Sequence, residues 1–167
     1  MCNIIMKNLQ IKKLTKLEIR NRIRSILNID SAQMGRYEKW KRNNFFLDLP
    51  HKFQISAYVI FNNKLIGYCI GSIRGNTAHI HRLSVDTKYT NRGVGHIMIK
   101  FLKQRAKNYK CKVITVETLK KSEANKFYIK EKFSKCNPKE RANYLLSKKA
   151  EIRNKFIKNS IIYKFKI

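Results

Sequence analysis

The chain has 167 residues, 43% of them hydrophobic and 11% aromatic, spread along its whole length. That is enough for one domain with a real core, over residues 1–167, and it excludes a disordered or low-complexity protein. Its 38 Lys and Arg against 10 Asp and Glu give a formal charge of +28, and codon bias toward Lys would raise Glu as well, so the imbalance points to an anionic partner: a phosphorylated cofactor, RNA, DNA or an anionic membrane surface.

Four scattered cysteines, Cys2, Cys69, Cys111 and Cys136, show no C-x-x-C and no Cys/His cluster. They read as reduced thiols, and no metal is expected. The first residues lack the apolar core of a signal peptide, and no run reaches the roughly 20 apolar residues of a membrane span, so a cytoplasmic protein is expected.

In chain order, Asn3 to Met6 has the makings of a short strand. Thr15-Lys16-Leu17-Glu18 has the form of a capping box, and Leu17, Ile19, Ile23, Ile26 and Leu27 recur at helical spacing, which predicts a helix from about Thr15 to Leu27. A second helix is expected from Asp30 or Ser31 through Met34, Tyr37 and Trp40, ending before Pro50. From Gln54 the pattern turns to strands: "QISAYVIF", the turn Asn62-Asn63, "KLIGYCIGSI", the turn Gly75-Asn76, and "TAHIHRLSV". A helix over about Gly93 to Asn108 follows, then a strand in "KVITVET", a short helix over about Ser122 to Glu131, a basic helical segment over roughly Lys139 to Lys158, and a last strand, "IIYKFKI". No repeat and no linker divides the chain.

The loop "NRGVGHIMIKFL" ends a strand and opens a helix, so its backbone N–H groups and the helix dipole form an anion site suited to a phosphate. Glycines at 93 and 95 would let a pyrophosphate approach the main chain. The plainer reading of a lone G-x-G is a tight turn. There is no G-x-x-x-x-G-K-[ST] and no G-x-G-x-x-G in a parallel βαβ frame, which argues against an ATPase or a dehydrogenase.

Taken together, "IHRLSVDTKYTNRGVGHIMIKFL" and "KVITVETLKKSEANKFYIKEKF" resemble the GNAT superfamily of acetyl-CoA-dependent N-acetyltransferases over Gln54 to Phe133. The resemblance implies an α/β (α+β) fold, with a central mixed, mostly antiparallel twisted sheet flanked by helices. It departs from the family's [QR]-G-x-G-x-[GA] loop at Thr90 and Asn91, and Lys121 and Lys132 stand where an Asn and a Gly are common.

What the resemblance implies can be stated residue by residue. Main chain at Leu83, Ser84 and Val85 would hold pantetheine, with the Leu83 N–H facing the thioester oxygen, and the loop Asn91, Arg92, Gly93, Val94, Gly95 and His96 would hold the pyrophosphate. Tyr128 matches the tyrosine that protonates the leaving thiolate; the plainer reading is a core aromatic. His79 and His81, as residues i and i+2 of a strand, are expected on one face beside Leu83 and Val85. Their A-H-x-H-x-L-x-V pattern is similar to the arylalkylamine N-acetyltransferase branch, where paired histidines relay protons; packing is the alternative. Glu117 on the next strand is a competing base.

Acetyl-CoA is the expected cosubstrate and a primary amine the acceptor. Basic-aromatic "GRYEKWKRNNFF" and the basic tail suit an RNA contact, hence an aminoacyl-tRNA or a ribosome-bound protein amine; a solvated basic surface is the alternative, and a polyamine would be repelled. Monomer and homodimer both remain open. Two rival readings stand: a GNAT-fold CoA-binding regulator without turnover, and a basic nucleic-acid-binding protein in which G-x-G is only a turn.

Overall fold

The computed structural model describes residues 8–34, 40–147 and 159–167. The expected strand at Asn3 to Met6, and the later part of the basic helical segment up to Lys158, lie outside the described residues.

The first described strand, β1 (Leu9–Lys13), alternates Leu9 and Ile11 onto the core. Helix α1 (Lys16–Met34) starts where the capping box stands: Thr15 Oγ1 accepts the Glu18 amide at 3.2 Å. It buries Ile19, Ile23, Ile26 and Ile29, while Leu17 is 62% exposed and takes no part in the buried stripe. The expected break before Asp30 is absent. Asp30 is fully buried and its carboxylate is spent on tertiary partners, so the helix runs on to Met34. A 3-10 segment (Arg42–Phe46) and a single turn, α2 (Lys52–Ile55), follow, so the chain is still helical at Gln54, where a strand was expected to begin.

Strands β2 (Ala57–Phe61) and β3 (Lys64–Arg74) join through Asn62 and Asn63, at φ 47° and 60°. These are the left-handed values that a two-residue hairpin turn requires. β4 (Thr77–Val85) continues the meander, α3 (Val94–Asn108) packs across the sheet, and β5 (Val113–Leu119) returns parallel to β4. Then come α4 (Ala124–Lys130), a two-residue strand β6 (Ser134–Lys135), α5 (Pro138–Ser147) and β7 (Ser160–Lys166). Asn137 and Glu140 start α5 with reciprocal bonds of 2.9 and 3.0 Å.

The seven strands form one sheet in the order β1-β2-β3-β4-β5-β7-β6, with β4 and β5 as its parallel pair. Each face buries its own apolar cluster. One gathers Ile19, Ile23, Ile26, Tyr58, Tyr68 and Ile70 under α1; the other gathers Cys69, Ile80, Met98, Ile99, Leu102 and Ile114 under α3. No described helix is long and apolar enough to cross a membrane.

Candidate active site

The ladder between β4 and β5 has four rungs, from Thr77 opposite Val113 to Ile80 opposite Val116. Beyond it β4 continues to Val85 and β5 to Leu119 without pairing, and a cleft opens between them. His81, Leu83, Glu117, Ser122, Ala124 and Tyr128 are among the residues that line it. The structure therefore brings Tyr128, His81, Glu117 and Leu83 to one cleft. His79 stands behind His81, their ring centroids 4.6 Å apart, and does not line it.

The histidine geometry corrects one expectation. Ile70 pairs with Arg82 while Gly71 pairs with Ile80, so His81 is an extra residue, a bulge in β4. After a bulge the alternation shifts by one. Leu83 and Val85 therefore fall with Ala78 and Ile80 on the α3 face. His79 and His81 do share a face, but it is the α1 face, opposite Leu83 and Val85 rather than beside them. There His81 Nε2 lies 2.7 Å from Ser72 Oγ, and His79 Nδ1 lies 2.9 Å from Thr115 Oγ1. The Thr115 hydroxyl also donates to the Ala78 carbonyl at 3.4 Å, which fixes it beside the His79 ring.

Glu117 shares the α1 face with Thr115, two residues before it on β5, and accepts from Ser160 Oγ at 2.6 Å. Tyr128 comes from the other side. It is 4% exposed and packs among Phe127, Phe133 and Tyr163, with ring centroids at 5.2, 5.4 and 6.4 Å. Burial, with Cys69 beside it, pushes its phenol well above the usual tyrosine range, so it holds its proton at every physiological pH. The cleft thus passes through the sheet, with imidazole and carboxylate on one side and a protonated phenol on the other.

The loop before α3 leads through left-handed backbone into a helix N-terminus. Asn91 (φ 59°) and Gly93 (φ 80°) both sit in the left-handed region, and Gly93 is the N-cap of a 15-residue helix whose first turn holds no acidic side chain.

 The two glycines serve different ends. At Gly93 the positive φ is the reason. At Gly95 a Cβ would stand 3.1 Å from the Phe127 ring, so this glycine lets α4 close on α3, which the expected pyrophosphate approach did not anticipate. The His96 side chain turns to Glu131, with Nδ1 at 3.0 and 3.2 Å from the carboxylate oxygens, which leaves its main chain for the loop.

The sequence model of the Acetyltransferase (GNAT) family matches residues 20–133. The chain belongs to the GNAT acetyltransferase family. Its fold is shared by the ribosomal-protein-S18-alanine N-acetyltransferase from Escherichia coli (14% identity, TM-score 0.70, covering 95% of this chain and 94% of that one). It is shared equally by Ard1 from Thermoplasma volcanium (17%, 0.73, 96% and 98%). A third is Arabidopsis thaliana Naa50, solved with the bisubstrate analogue CoA-Ac-MVNAL (11%, 0.68, 96% and 99%). A search of curated proteins finds no match.

In this GNAT acetyltransferase the sequence reading missed the support of the site. Asp30 Oδ1 accepts from Arg82 Nε at 2.7 Å and from the Tyr68 hydroxyl at 2.6 Å, and Oδ2 accepts from Arg82 Nη2 at 3.0 Å and the Trp40 amide at 2.9 Å. Arg82 stands between His81 and Leu83, so this buried cluster ties the bulge to α1 and to the chain at Trp40. The only sequence signal was a charged pair inside apolar segments. Asn125 was missed as well: its Nδ2 donates to the Leu119, Lys120 and Ser122 carbonyls, which holds the turn that delivers Tyr128.

Proposed function

We propose that the chain moves an acetyl group from acetyl-CoA to a primary amine by direct attack, as a single acetyltransferase domain. The observation that carries this is the stretch of β4 that pairs with β3 but parts from β5, opposite a buried, protonated Tyr128. The residues present fit the cosubstrate: an open strand edge at Leu83 to Val85 suits the amides of pantetheine, and the left-handed loop through Asn91 and Gly93 suits a pyrophosphate.

On this reading the Leu83 N–H stabilises the oxyanion that develops on the thioester oxygen. His81, backed by His79, takes the proton that the amine loses as the C–N bond forms, and Glu117 is the competing base on the same face. Tyr128 gives its proton to sulfur as the C–S bond breaks. The products are an amide and a free thiol.

The acceptor is an RNA- or ribosome-associated amine, an aminoacyl-tRNA or a protein amine. The charge of +28 supports this, and two neighbours in fold are described by protein or peptide acceptors. Thiol release from acetyl-CoA, measured with peptides bearing free N-termini, lysine peptides, aminoacyl-tRNA and small amines, tests it. Release above hydrolysis is expected with the first three classes and not with polyamines, and no release with any amine would end the reading.

A further inference from the structure

On α3, His96, Lys100, Lys103 and Lys107 fall at i, i+4, i+7 and i+11, which places them along one side of the helix. With Phe165 and Lys166 of β7 they wall a cavity of about 380 Å³ that shares no lining residue with the cleft between β4 and β5. Its one side-chain carboxylate, Glu131, is 8% exposed and faces His96 and Lys103, so Lys100, Lys107 and Lys166 carry the positive charge on the exposed part of the wall. Lys103 donates to the Glu131 carbonyl at 2.8 Å and lies 3.7 Å from the Phe165 ring centroid, which fixes a cation and an aromatic ring together in the wall.

We propose that this cavity binds the phosphodiester backbone of a single-stranded nucleic acid. At 1.5 Å per residue the stripe from His96 to Lys107 is about 16 Å long, too long for one phosphate and suited to several in a row. A groove lined by the exposed Lys100, Lys107 and Lys166 suits a flexible unpaired strand, whose phosphates can follow the stripe, while Phe165 stays packed under Lys103. A bilayer would need a flat apolar face beneath the charges, and this surface is concave. The proposal deepens the RNA contact of the preceding section and rests on it, but it does not require acetyl transfer.

The test is fluorescence anisotropy of labelled U12 and dT12 without acetyl-CoA or acceptor, so its failure is separate from failure of the acceptor panel. Lys100→Glu with Lys107→Glu and Lys166→Glu is compared with Lys13→Glu, Lys16→Glu and Arg20→Glu, which change the net charge equally at exposed positions elsewhere. The cavity triple should lose about tenfold or more in affinity and about 2 in the slope of log K against log salt, while the control triple keeps nearly the full slope. U12 and dT12 should behave alike, because the backbone is what is bound. The milder Lys100→Gln with Lys107→Gln, checked for an unchanged thermal melt, should lose affinity in the same direction. Equal losses in both triples would overturn the proposal, as would displacement of U12 by stoichiometric CoA, or cavity-dependent binding to phosphatidylserine vesicles without oligonucleotide binding.

Discussion

The two faces of the sheet around the cleft are built from different chemistry. Under α3 the contacts are almost wholly apolar, and Tyr128 joins them with its ring. Under α1 an apolar cluster surrounds a buried charge pair, and His79, His81 and Glu117 stand toward this side with polar partners. The bulge at His81 is the boundary, since it decides which side chains of β4 meet which face. The contrast to test is therefore between a buried charge pair on the α1 face, whose loss should cost stability, and Tyr128 on the α3 face, the proposed acid, whose loss should cost rate; the proposed bases His81 and Glu117 stand on the α1 face.

Four substitutions would break or sharpen that contrast. The largest effect belongs to Asp30→Ala, which leaves Arg82 buried without its carboxylate and should cost about 3–5 kcal/mol, read as a fall in the thermal midpoint of about 10 °C. Tyr128→Phe should lower kcat by about 10²-fold or more with acetyl-CoA affinity and the melt nearly unchanged; a full rate would remove it as the acid.

Next comes His81→Ala, expected to cost roughly tenfold in rate and to flatten the acidic limb of the pH-rate profile between about pH 5 and 8. A parallel drop at all pH values would make the imidazole a packing group. The smallest is Tyr68→Phe, about 1 kcal/mol at neutral pH. Burial and the neighbouring Asp30 raise the Tyr68 phenol well above its ordinary value. The stability it contributes is thus complete below about pH 10 and is lost as pH climbs toward the raised value, so the wild type should lose its advantage over the variant only above about pH 10 in urea titrations.

Much of the fold was legible because local signals and tertiary use agreed. Thr15 capped the helix it announced, and Asn62-Asn63 made the turn that its residue types allow. The reading failed where a side chain was claimed by a distant partner. Asp30 and Ser31 look like a helix boundary in sequence, but Asp30 is bonded to Arg82, 52 residues away, and the helix continues. Which candidate residues would meet in one cleft was partly legible, and their geometry less so. Tyr128 and His81 reach one cleft, whereas the bulge that turns the histidines away from Leu83 depends on the pairing of β4 with β3, which no local pattern encodes. Gly95 was noticed for its spacing, yet its neighbour is Phe127, 32 positions on.

The four-rung ladder places an open strand edge in the interior of a sheet rather than at its margin. An edge at the margin can recruit a strand from another molecule, and proteins blunt such edges to stay apart. Here β3 and β5 flank the edge, and access is set by the width of the gap. The interruption therefore sets the open edge inside a cleft whose lining includes Arg82 and Glu117, rather than on the outer margin of the sheet.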